Sequence, residues 1–167
     1  EERNLITRAH DWSTRLQTIL KRLSDLGLYK RPVVCIHPAA GNETKQWPPE
    51  YFADVINLLV ITDDVHFAMI GGSDDADYVS KIMELAPDMN RLFNLVGQLR
   101  LDELPYFLDT CALFIGNDSG PKHIAAGLGV PTVGIHSGVV DAREWGPQGD
   151  AAVGVRRNMS CSPCYHA

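Results

Sequence analysis

Short apolar runs rich in β-branched residues alternate along this chain with stretches of helical periodicity, and that alternation narrows the possible folds more than any other feature. Residues 33–37, Val-Val-Cys-Ile-His, are apolar at nearly every position, as expected of a strand covered on both faces. Similar runs fall at 65–70, 91–95, 112–115 and 131–135, with a sixth at 151–155. Between them lie helical patterns. Tyr51, Phe52, Val55, Leu58 and Leu59 follow Pro48-Pro49, residues 74–85 carry acids in their first turn, and 101–110 and 121–128 complete the set. Strands separated by helices of this length are joined by right-handed β-α-β crossovers into a mostly parallel sheet. The expected fold class is α/β: a doubly wound, mostly parallel Rossmann-like sheet.

The first residues differ from the rest. Within residues 7–28, Trp12, Leu16, Ile19, Leu20 and Leu23 recur at helical spacing, Gly27 marks a stop, and Arg31-Pro32 breaks the chain into the first strand. Residues 1–31 therefore read as an N-terminal linker helix and 32–167 as one α/β domain. A length of 167 residues suits a single such unit. The net charge of -6 argues against a general nucleic-acid surface, which needs a basic face. No run of about 18 uncharged apolar residues offers a transmembrane segment. Glu1-Glu2-Arg3-Asn4 lacks the apolar core of a signal peptide, and two of the four cysteines sit alone in apolar contexts. The expected location is cytoplasmic.

Ligands of doubly wound sheets bind beyond the carboxyl ends of the strands, where the strand order reverses. In the order 3-2-1-4-5-6 that crevice lies between the first and fourth strands, and the loops after those two are chemically unusual. The first reads Pro38-Ala39-Ala40-Gly41-Asn42-Glu43-Thr44-Lys45, the second Gly116-Asn117-Asp118-Ser119-Gly120-Pro121-Lys122-His123. Ser119 or Asp118 can cap the following helix, Gly120 admits a ligand close to the backbone, and Pro121 suits the first helical turn. Free amides and the helix dipole there form an anion site. A helix end alone supplies only about 0.3–1 kcal/mol, so a cation is needed beside it, and Lys45 is the candidate. Together they suggest a pyrophosphate. Asp118 would repel a nearby phosphate, which leaves it for sugar hydroxyls or for holding loop amides. His123 faces either ligand or core, and the residues alone favour the core. Gly71-Gly72-Ser73-Asp74 is either a nucleoside contact or an ordinary tight turn. No G-x-G-x-x-G follows the first strand, no phosphate loop is present, and Gly127-Leu128-Gly129 reads as a helix stop. Cys161-Ser162-Pro163-Cys164 is a single C-x-x-C pair to which His166 could add one ligand; zinc needs four, so the motif reads as cut short. Cys35 and Cys111 read as buried small residues.

Residues 117–126, Asn-Asp-Ser-Gly-Pro-Lys-His-Ile-Ala-Ala, resemble the D-[ST]-G-x-x-H-x-x-A signature of family 9 glycosyltransferases, the heptosyltransferase group of lipopolysaccharide assembly. His37-Pro38 with Lys45-x-Trp47-Pro48, Gly97-Gln98-Leu99 and Trp145-Gly146-Pro147 are similar to further family segments, in the same order. The resemblance implies the C-terminal half of a GT-B glycosyltransferase, with 32–167 as its nucleotide-sugar-binding domain and an ADP-heptose-like donor. It implies inverting transfer in lipopolysaccharide or related surface-glycan synthesis. The catalytic base would lie in an N-terminal domain that also meets the glycolipid or glycan acceptor, so this stretch alone would be inactive. No metal or other cofactor is implied, and the enzyme would be cytoplasmic, peripheral at the inner face of the cytoplasmic membrane.

Carried over residue by residue, Lys45, in the loop with Gly41 and Asn42, would contact donor phosphates or sugar. Ser119 and Gly120, followed by Pro121, would bind the pyrophosphate, and Asp118 would meet the transferred sugar. Leu99 with Ser73 or Asp74 would border base and ribose, and His123 would join the site. Two positions depart from the pattern. Lys122 stands where such sequences are usually apolar, so it either charges the donor site or faces solvent. Ile135-His136-Ser137-Gly138 stands where the family tends to have Phe-Gly-Pro. Two other readings fit a fold of this kind: a nucleotide-sugar epimerase, or a non-catalytic nucleotide-sugar-binding module.

Overall fold

The computed structural model describes residues 11–86 and 88–165. Six parallel strands, β1 (Val33–His37), β2 (His66–Met69), β3 (Leu92–Asn94), β4 (Leu113–Asn117), β5 (Thr132–His136) and β6 (Ala152–Arg156), form one sheet in the order β3-β2-β1-β4-β5-β6. The sequence predicts this order, and the reversal falls between β1 and β4. There Val34 pairs with Leu113 and His37 with Gly116. Gly116 is required at this seam, since a Cβ would lie 2.6 Å from the His37 carbonyl oxygen.

Right-handed crossovers place helices on opposite faces once the chain reverses its direction across the sheet. Helices α2 (Pro49–Thr62) and α3 (Ala76–Leu85) cover one face, and their Phe52, Ile56, Val79 and Ile82 pack on Val34, Ile36, Phe67 and Met69. The other face carries α4 (Leu104–Leu108) and α5 (Gly120–Gly127), with Phe107, Leu108 and Ala125 against Cys35, Ala68 and Phe114. Helix α1 (Trp12–Asp25) packs on α4 through Ile19 and Leu23. The Trp12 ring centroid lies 4.4 Å from that of Tyr106, and Arg22 forks onto Glu103 at 2.9 and 3.2 Å. A short helix α6 (Ala142–Trp145) precedes β6.

Two predicted helices differ at their ends for local reasons. The segment at 101–110 is helical only over Leu104–Leu108, because the Glu103 carboxylate accepts the Arg100 N–H at 2.9 Å and closes a separate turn ahead of Pro105. The segment at 74–85 opens as a tight turn over Ser73–Asp75, where the Asp75 carboxylate accepts the Gly72 N–H at 2.7 Å. Gly129 takes a φ of +84° just past α5, as the predicted stop requires. Cys35 and Cys111 are both buried. Among the described residues no helix is long and apolar enough to cross a membrane.

Candidate functional site

The loops after β1 and β4 leave neighbouring strand ends, and one buried side chain ties them together. Asn117 is fully buried; its Nδ2 donates to the Pro38 carbonyl, and its Oδ1 accepts the Trp47 N–H at 3.2 Å. Trp47 is itself held by the Tyr78 hydroxyl, which donates to its carbonyl, and by the Phe52 ring 5.2 Å away. Between these anchors the first loop is free to project Lys45 over the crevice. Asn42 closes the turn beneath it by accepting the Thr44 N–H at 3.0 Å, and Gly41 stands exposed.

Lys45 Nζ meets Asp118 Oδ2 at 3.1 Å, so the first loop reaches the second across the switch point. Asp118 is only 7% exposed, and its other oxygen accepts from Lys122 Nζ at 2.6 Å. The remaining protons of the Lys122 ammonium go to the Trp145 carbonyl and to His136 Nε2, the latter 3.3 Å away. Lys122 is completely buried, which excludes the solvent-facing one of its two alternatives. Its four-carbon stem fits because residue 134 is glycine: a Cβ there would lie 2.7 Å from Lys122 Cδ.

Neither Ser119 nor Asp118 caps α5. Ser119 occupies the cap position, but its hydroxyl donates to the Asn117 carbonyl at 3.2 Å and pairs with His37 Nδ1 at 3.0 Å. Asp118 is occupied by two ammonium groups rather than by loop amides. The first amides of α5 therefore have no side-chain acceptor, and a Cβ at the exposed Gly120 would have nothing within 4 Å. An accessible amide end beside a lysine is an arrangement suited to an anion. His123 is exposed in the first turn of α5, so the core reading of that residue does not hold.

Beside the amide end lies a cavity of about 250 Å³, bordered by His37, Gly71, Gly72, Leu99, Leu104 and Pro121. Its size and apolar walls suit one heterocyclic ring. Leu99 lines this cavity, whereas Ser73 and Asp74 lie outside the lining, exposed, with a mutual contact of 3.5 Å. The backbones of Gly71 and Gly72 border the cavity instead. His37 belongs to the site and was legible only as part of His37-Pro38; Arg100 at the rim had no signal at all. A larger apolar groove of about 510 Å³, lined by Trp47, Leu59, Val133, Ile135 and Met159 among others, is sheet surface over β4–β6 that α2 and α3 leave uncovered.

Lys45, Lys122 and Asp118 together carry one excess positive charge. Burial raises the Asp118 carboxyl, but Lys122 and Lys45 outweigh it and hold the group below the ordinary carboxylate value. Burial lowers Lys122 against the opposing pull of Asp118. His136 is pushed down to about 4 by burial and then by the neighbouring Lys122 charge, so it is neutral at pH 7, with Nε2 as acceptor and a buried Nδ1 that finds no partner among the described residues. The unfolded chain then binds a proton at this residue between pH 6.5 and about 4 that the folded chain refuses. Stability therefore falls as the pH drops through that window. His136 is expected to contribute about 2 kcal/mol of lost stability between pH 7.5 and pH 5, at ~1.4 kcal/mol per pH unit. Urea denaturation at the two values checks this, and His136→Asn should lack that share of the loss.

Among the described residues no group of three or more His, Cys, Asp or Glu side chains could hold a metal ion. Cys161 is exposed and Cys164 half-buried, with its N–H donating to the Gly138 carbonyl at 3.0 Å; His166 lies outside the described residues.

Comparisons with known proteins bear on the family and the fold. The profile of glycosyltransferase family 9 (heptosyltransferase) matches residues 7–167. Lipooligosaccharide heptosyltransferase 2 of Campylobacter jejuni serotype O:2 is 28% identical over 167 residues, covering 98% of this chain and 52% of that protein. Lipopolysaccharide heptosyltransferase 3 of Escherichia coli K12 is 32% identical over 131 residues, covering 76% of this chain and 36% of that protein. The chain thus spans about half or less of the length of these curated relatives. The solved E. coli ADP-heptose lps heptosyltransferase II superposes with a TM-score of 0.79 at 21% identity, over 93% of this chain and 45% of that one. The iron-containing dodecameric glycosyltransferase TibC of enterotoxigenic E. coli superposes at 0.61 and 21% identity, over 81% of this chain and 34% of that one.

Proposed function

The chain belongs to glycosyltransferase family 9, the heptosyltransferases, and from that premise we propose that it is the donor-binding half of the catalyst. The observation that carries this reading is the meeting of Lys45 with Asp118 across the switch point, 3.1 Å apart, directly before the open amide end of α5. The division into a linker helix over 1–31 and a nucleotide-sugar-binding domain over 32–167 is part of the same proposal.

In this reading the donor diphosphate lies between Lys45 and the amides at Ser119 and Gly120, with the base in the cavity at Leu99 and the sugar toward Asp118 and His123. The chemistry is an inverting displacement at the anomeric carbon, with the acceptor hydroxyl attacking from the side opposite the diphosphate. A base outside this chain takes the hydroxyl proton. What these residues supply is stabilisation of the negative charge that grows on the leaving diphosphate, by an ammonium and by preorganised amides. Lys45 and the amide end carry that charge without a metal. The acceptor is a glycolipid or glycan of the lipopolysaccharide class, met by the rest of the enzyme at the cytoplasmic face of the membrane. ADP-heptose, named for the E. coli enzyme, is the donor to test first.

Isothermal titration of the 167-residue chain with ADP, UDP and GDP tests the reading. ADP is expected to bind most tightly, with an affinity unchanged by a chelator. Absence of binding by all three at millimolar concentration would overturn it.

A further inference from the structure

Two lysines share the Asp118 carboxylate, but they are not equivalent. Lys45 comes from a loop, keeps a quarter of its side chain in solvent and makes one ionic contact at 3.1 Å. Lys122 is fully enclosed, sits at 2.6 Å, and spends all three ammonium protons on Asp118, His136 and the Trp145 carbonyl. The space for its stem exists only because residue 134 lacks a Cβ. Lys122 and His136, the latter within the departing segment 135–138, are in direct contact. Lys122 cannot reach a ligand without abandoning three partners, whereas Lys45 needs to abandon one.

We propose that Lys122 is a positioning residue, a fixed internal counter-ion that keeps Asp118 satisfied and in place while Lys45 leaves it for the donor diphosphate. This rests on the donor-site reading above. If Lys45 were the only cation on this carboxylate, its departure would strand a buried negative charge beside the incoming phosphates, and binding would carry both the desolvation and the repulsion. With Lys122 behind it, Asp118 keeps a charge-assisted hydrogen bond and a fixed orientation toward the sugar. His136, neutral and accepting, orients the ammonium without competing for Asp118.

The test is a double-mutant cycle on ADP affinity with the 167-residue chain, its Lys122→Met and Lys45→Ala variants, and the double variant. Lys122→Met is expected to weaken ADP about tenfold although the side chain touches no ligand, because Lys45 is then held by Asp118. In the Lys45→Ala background the same change should cost about twofold at most. An equal loss in both backgrounds would make Lys122 merely structural and overturn the inference. A second readout needs neither ligand nor the Lys122 variant: carboxyl titration of Asp118 by NMR in Lys45→Ala. Asp118 should titrate at or below the ordinary carboxylate value, as a carboxylate with a remaining cation does. Titration above that value would overturn the counter-ion role even if Lys122→Met fails to fold. A parent chain that binds no ADP overturns the donor-site reading and with it the release of Lys45, whereas the Asp118 titration separately decides whether Lys122 holds the carboxylate.

Discussion

Asp118→Ala is expected to destabilise the chain by about 3–5 kcal/mol, the cost of leaving one member of a buried ion pair without its partner. The stranded group is Lys122, which has no exposed surface and would keep only a carbonyl and a neutral imidazole as acceptors. Urea denaturation at pH 7 measures it. The double variant Asp118→Ala/Lys122→Met should recover most of the loss, since replacing both partners by apolar groups is far less costly than removing one. A single-variant loss under about 1 kcal/mol would mean that the lysine reaches water or releases its proton, and that the pair contributes little.

Lys45→Ala should show the opposite division between stability and binding. Its contact with Asp118 is partly exposed and screened, so removing it should change stability by about 1 kcal/mol or less. Affinity for ADP should fall by about 1.5–3 kcal/mol, roughly tenfold to a hundredfold, as for a lost charge-assisted contact. Calorimetric titration of parent and variant reads the difference directly. Equal affinities would remove Lys45 from the site and leave the α5 amide end as a weak anion site of its own.

The sheet was legible because its strands are buried on both faces. Val33–His37 can satisfy neither a helix nor an exposed strand, and the alternation with helices of this length leaves few orders open. The crevice followed from topology plus two unusual loops, and Lys45 and Asp118 do meet there. What stayed hidden depended chiefly on partners supplied by other elements of the fold. A lysine reads as a solvated charge until its acceptors are known, and those of Lys122 come from residues 118, 136 and 145. The same holds for Ser119, which looks like a helix cap until His37, on another strand, takes its hydroxyl. For His123 the residues alone favour the core and the resemblance the site; α5 presents it outward. Around the ring cavity, Leu99 is legible as a motif residue and Gly71-Gly72 as a strand-end turn, whereas Arg100 carries no sequence signal.

In the proposed function a donor diphosphate is held between the loop after β1 and the start of α5. Amide chemical-shift mapping of the 167-residue chain with ADP tests it most directly. The largest shifts are expected at Ser119, Gly120 and Lys45, with a second set at Gly72 and Leu99 where the base enters. Shifts confined to the apolar groove at Trp47, Val133, Ile135 and Met159, with the crevice unmoved, would contradict it.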